Sequence, residues 1–112
     1  MVGSLSSSVN LSREDVNGTV FLLTKPPNSE RAKLCIQLVE RSNNAVLYLA
    51  GDGVFNLLGH SIKDIPAGSV CACKEDMDAR GVQSEDTAIS IVEFYERLVE
   101  DIMMRSEKVY AF

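Results

Sequence analysis

The 112-residue sequence has no tryptophan, one histidine, three cysteines and three prolines, and only 6% of its residues are aromatic. Each shortage excludes something. Three cysteines are too few, and odd in number, for the disulfide framework of a small secreted domain, so a reducing, cytoplasmic setting with thiols kept reduced is expected. The single histidine, His60, leaves a zinc site without its usual donors, because Cys71-Ala72-Cys73 lacks the spacer that separates paired metal ligands. No basic excess exists: 11 Lys and Arg against 16 Asp and Glu leave a net charge of -5, which argues against contact with nucleic acid or an anionic membrane surface. No apolar run approaches the roughly 18 residues of a membrane helix. The Ser-rich start, Met1 to Asn10, has no basic stretch followed by an apolar one and so does not read as a secretory leader. Thr24 to Asn28 lacks the glycines that let backbone N–H groups surround a phosphate, so no nucleotide, flavin or other cofactor is called for.

What is present is the composition of a soluble globular chain, 46% apolar and 24% charged, at a length that suits one domain. Residues 1–18 read as a flexible lead-in ending at the Asn17-Gly18 turn signal, and residues 19–112 as a single α/β domain. Thr19 to Thr24 and Ala45 to Ala50 are continuous β-branched and aliphatic runs, the pattern of strands buried on both faces. Between them, Ala32, Cys35, Ile36 and Val39 follow helical spacing after Asn28-Ser29, either of which suits an N-cap. Strand, helix, strand in this order predicts a parallel pair with a right-handed crossover. A short helix is expected over Val54 to Leu58, a third strand over Ser69 to Cys73, and a helix from Lys74 to Arg80 closed by Gly81. Ala88 to Val92 reads as an edge strand and Lys108 to Phe112 as a closing one. From Glu93 to Arg105 the stripe Tyr95, Leu98, Val99, Ile102 and Met103 predicts a helix packed through those residues. The whole predicts a three-layer α/β/α sandwich with a mostly parallel sheet of about five strands.

Cys73 is the residue through which chemistry is expected. It ends a predicted strand and opens a predicted helix, where the first-turn N–H groups and the helix dipole favour thiolate, the nucleophilic form. The alternative is a buried cysteine acting as a small hydrophobe. Cys71 lies two residues earlier and shares its face if both are extended. Lys74 adds positive charge beside Cys73, while the acidic run Glu75-Asp76-Met77-Asp78 reads as a solvated helix face. Asp52, between Gly51 and Gly53, follows the second strand at the carboxyl end where open α/β sheets place ligands, and serves either as a turn-former or in the site. His60 is a loop residue or an acid/base partner for Cys73. Cys35 lies on the apolar stripe of the first helix and reads as core.

Four pieces in order, Ser29-Glu30-Arg31-Ala32 after the first strand, Gly51-Asp52-Gly53-Val54 after the second, and Asp76 to Val82 after the third, with Val109-Tyr110-Ala111-Phe112 at the end, resemble the DsrE/DsrF/DsrH family. That family includes the TusB, TusC and TusD sulfur-relay subunits, and the resemblance covers about residues 19–112. Glu75-Asp76 followed by Ala79-Arg80-Gly81 looks most like the DsrH or TusB branch, whose members serve mainly as partner subunits. Cys73, however, stands before Gly81 at a spacing similar to that of the sulfur-carrying cysteine in DsrE-like members. The resemblance therefore implies either a persulfide carrier acting through Cys73 or a non-catalytic subunit. In both cases it implies a homo- or hetero-oligomer with other relay subunits or with sulfur donor and acceptor proteins.

Overall fold

The computed structural model describes residues 18–59, 61–83, 87–104 and 106–112, so the lead-in and His60 lie outside the described residues. Strand β1, Gly18–Leu23, leads through Pro26 and Pro27 into helix α1, Glu30–Arg41. Of the two N-cap candidates it is Ser29 that caps the helix: its Oγ accepts the Ala32 N–H at 3.1 Å. Ala32, Cys35, Ile36 and Val39 are buried, as their spacing predicts. Strand β2 is Ala45–Leu49. The helix expected over Val54 to Leu58 is instead a 3-10 helix, Gly51–Leu57, that starts directly on the glycine turn. The turn needs its glycines: Gly51 has φ of +54°, and Gly53 passes so close to β1 that a Cβ there would collide with the Leu23 carbonyl oxygen.

Strand β3, Val70–Cys73, is buried at every position and runs without a break into helix α2, Lys74–Arg80. Gly81, with φ of +68°, ends α2; the Val82 N–H reaches back to the Met77 carbonyl at 2.9 Å. Edge strand β4, Ile89–Ile91, helix α3, Phe94–Met104, and strand β5, Ser106–Ala111, complete the chain. β5 starts two residues earlier than expected, because it pairs along nearly all of β1.

All five strands are parallel and lie in the order β4-β3-β2-β1-β5. The chain steps from β1 to β4 in one direction and then returns across the sheet to β5. With right-handed crossovers, this order puts α1, the 3-10 helix and α2 on one face and α3 alone on the other. The two apolar clusters match. One joins Phe21, Leu23, Leu47 and Leu49 to α1 and to Met77 of α2; the other joins Val20, Tyr48, Cys71 and Cys73 to Phe94 and Leu98 of α3. Among the described residues the three-layer sandwich is therefore lopsided, with a single helix over its second face.

That helix departs from its expected packing. Phe94, Leu98 and Asp101 are its buried residues, whereas Tyr95, Val99 and Met103 are more than half exposed. Apolar residues cover an arc wider than one contact face, and the part that meets the sheet is centred on Phe94 and Leu98.

Candidate functional site

Adjacent strands whose connections leave on opposite faces open a crevice at their carboxyl ends, and such switch points are where open α/β sheets hold ligands. Here the chain leaves β3 for α2 on the first face and leaves β4 for α3 on the second. The switch point therefore lies at the carboxyl ends of β3 and β4, at Cys73 and Ile91, which are partners in the parallel register. Cys73 is both the last residue of β3 and the N-cap of α2.

The Cys73 and Cys71 side chains share the face toward α3, among Tyr48, Phe94 and Leu98. Cys73 is only 3% exposed. Its burial pushes the thiol pKa up; backbone N–H groups of Asp76 and Glu75 pull it down, and the Asp76 carboxylate pushes it up again. The helix-start amides thus act on the thiol as its position predicts, but desolvation and the carboxylate outweigh them. Tyr95 reaches the same spot from α3: burial, Asp76, Cys73 and Glu75 all push its phenol pKa up. Its ring packs edge-on against Phe94, 5.0 Å between centroids, and Phe94 against Tyr48 at 5.4 Å, so an aromatic row runs alongside the two cysteines.

Asp76 organises the rim. Its Oδ2 accepts the Gly51 N–H at 2.7 Å, and its Oδ1 lies 3.7 Å from Arg80. Arg80 Nε also donates to Asp52 Oδ1 at 3.1 Å. Through this chain of contacts, in which Asp52 takes part, α2 is stitched to the 3-10 helix that follows β2. The expected solvated acidic face is therefore only partly so: Met77 is buried and Asp76 half-buried, while Glu75 and Asp78 are exposed. Lys74 turns outward to Asp78, 2.7 Å away, with both side chains largely exposed.

Beneath α3 the Tyr48 hydroxyl donates to Asp101 Oδ2, with both residues buried. Burial, the Asp101 hydrogen bond and carboxylate charge, and Cys71 all push the Tyr48 pKa up, against a smaller opposing effect of Arg97. Sequence reasoning missed this pair. The available signal was a tyrosine inside an apolar strand, since a buried hydroxyl needs a partner. Cys35 sits in the other cluster, its thiol pushed up to about 12 by burial, and is core as read. None of the three cysteines is in a disulfide, and among the described residues no group of three His, Cys, Asp or Glu is placed to hold a metal. No helix among them is long and apolar enough to cross a membrane.

The family described as DsrH like protein matches residues 25–108, from the loop after β1 into β5. No curated protein matches the sequence. The matched span contains the crevice, Asp52, Cys73, Asp76 and Arg80, and covers three quarters of the sequence. This chain belongs to the DsrH-like family, the branch of the sulfur-relay proteins that the order of its sequence motifs resembles.

Proposed function

We propose that this protein carries sulfane sulfur as a persulfide on Cys73. The observation that supports this reading most is the position of Cys73 at the switch point between β3 and β4, with N–H groups of α2 acting on its sulfur. In the first step the Cys73 thiolate attacks the outer sulfur of a donor persulfide. The donor S–S bond breaks as the new one forms, the donor leaves as thiolate, and the proton released by Cys73 returns to it. No net oxidation occurs. An acceptor thiolate then takes the outer sulfur from Cys73 in the same way. Cys71, on the same face and in the same apolar cluster, is the second thiol near Cys73; Asp52, tied to α2 through Arg80, and Lys74, next to Cys73 in sequence, are the auxiliary residues of this reading. Because Cys73 is covered, transfer requires the start of α3, with Tyr95, to move aside when a partner arrives. The reducing cytoplasm is the compartment in which such thiols persist.

Incubation with a small persulfide donor followed by mass spectrometry of the digest tests the reading. A mass increase of one sulfur on the Cys73 peptide, lost in Cys73→Ser, is expected. No adduct, or an equal adduct in Cys73→Ser, overturns it.

A second reading is a partner subunit without sulfur chemistry of its own. It is favoured by the burial of Cys73, only 3% exposed, and by the exposed apolar flank Tyr95, Val99 and Met103 of α3. Purification from the native host as a complex, with sulfur found only on the other subunit, is its expected result.

A further inference from the structure

Beside the Cys73 crevice, on the far side of β4, a groove of about 580 Å³ runs between the strand and α3. Its floor carries Ile89 and Ile91; its wall carries Glu93, Glu96, Arg97 and Glu100. Three features bear on what fills it. β4 ends the sheet order, so among the described residues one side of its backbone has no neighbouring strand. Edge strands are ordinarily blunted by Lys, Pro or a bulge, but Ile89-Ser90-Ile91-Val92 contains neither residue, and Ile89 is 42% and Val92 79% exposed. The opposite edge, β5, carries Glu107 and Lys108. Finally, Glu93, Glu96 and Glu100 stand three and four residues apart and form one row facing the strand. Among the described residues no salt bridge engages them.

A second copy does not suit this edge. Pairing β4 with β4 would set two rows of glutamates against each other on chains already charged -5. We propose that the groove docks an extended segment of a different protein, added as a strand to β4, with Lys or Arg at alternate positions. In such a strand every second side chain lies on the α3 face. A Lys or Arg there rests its aliphatic stem on Ile89 and Ile91 and carries its charge to the glutamate row. Main-chain hydrogen bonds supply attraction, and the alternate charged positions supply selectivity. This inference names a surface for the partner that either functional reading calls for, and it holds whether or not Cys73 carries sulfur.

Fluorescence anisotropy at low salt tests it with a labelled octapeptide of alternating Lys and Thr, capped at both ends, and its Glu-Thr counterpart. The Lys peptide is expected to bind at least tenfold tighter than the Glu peptide. The exposed double reversal Glu96→Lys with Glu100→Lys is expected to weaken it about tenfold. Amide exchange should slow at residues 89–92 when the peptide is present. Equal binding of the two peptides, unchanged binding by the reversed variant, or protection confined to other segments overturns the proposal. Cys73→Ser is expected to bind as the parent does, so loss of sulfur transfer and loss of docking are separate results. Loss of binding in Cys73→Ser would make the thiol the anchor and also overturns it.

Discussion

Tyr48 and Asp101 show how much rests on one polar contact in an apolar layer. The phenol donates to a carboxylate that is itself buried between β2 and α3. Tyr48→Phe keeps the ring and removes the donor, leaving the carboxylate to lose a hydrogen bond it cannot replace with bulk water. A loss of about 1–3 kcal/mol is expected from urea unfolding, against less than about 0.5 kcal/mol for Tyr95→Phe on the exposed flank. Equal midpoints for the two variants would show that the buried bond contributes nothing. This pair was illegible in the sequence. Periodicity assigns a carboxylate in α3 to solvent, and a donor that meets it in the buried position lies 53 residues away in sequence. Cys35, by contrast, was legible from its helical spacing alone, because its environment is set by residues on its own stripe.

Short elements are held by contacts their own sequences do not reveal. α2 has seven residues and the 3-10 helix after β2 has seven, too few for either to persist by itself. Asp76 ties the first to the second by accepting the Gly51 N–H, while Arg80 spans to Asp52. Asp78, two residues on, merely pairs with an exposed Lys74. Asp76→Ala is therefore expected to cost about 1–2 kcal/mol and Asp78→Ala about 0–0.5 kcal/mol, as read from denaturant midpoints. Indistinguishable values would mean that the rim contact is no stronger than the surface pair. From sequence the two aspartates look alike, both in one acidic run. What separates them is the turn after β2, which α2 meets only because β2 and β3 are adjacent.

At the scale of the molecule, protons held in the core link stability to alkaline pH. The Cys35 thiol rises from 9.0 to about 12 on folding, and the Tyr48 phenol lies above its ordinary 10.0. An unfolded chain releases these protons first, so the contribution of Cys35 is complete below pH 9 and is lost as pH climbs toward 12. Tyr48 adds to the loss above pH 10. Stability should decline by up to about 1.4 kcal/mol per pH unit for each group in its window. Urea midpoints from pH 7 to 11 check this: Cys35→Ala is expected to lower stability at pH 7 yet flatten its fall above pH 9. An unchanged slope in that variant would assign the alkaline loss to other groups.

Legible in the sequence were the α/β alternation, the parallel β1–β2 pair, an N-cap at Asn28 or Ser29, the Gly81 cap and the family, because each depends on neighbours within a few turns of chain or on short motifs in order; which of the two residues caps α1 was read from the structure. It also marked Cys73 as a strand-to-helix residue. The tertiary structure decided that Cys73 stands at the switch point, that its thiol is covered and its pKa pushed up by that burial, and that α3 turns Asp101 inward while exposing Tyr95, Val99 and Met103. The physical reason is the return of the chain across the sheet after β4. That one crossover carries α3 to a face that no earlier helix among the described residues covers, and burial there, set by residues distant in sequence, outweighs the local amides at Cys73.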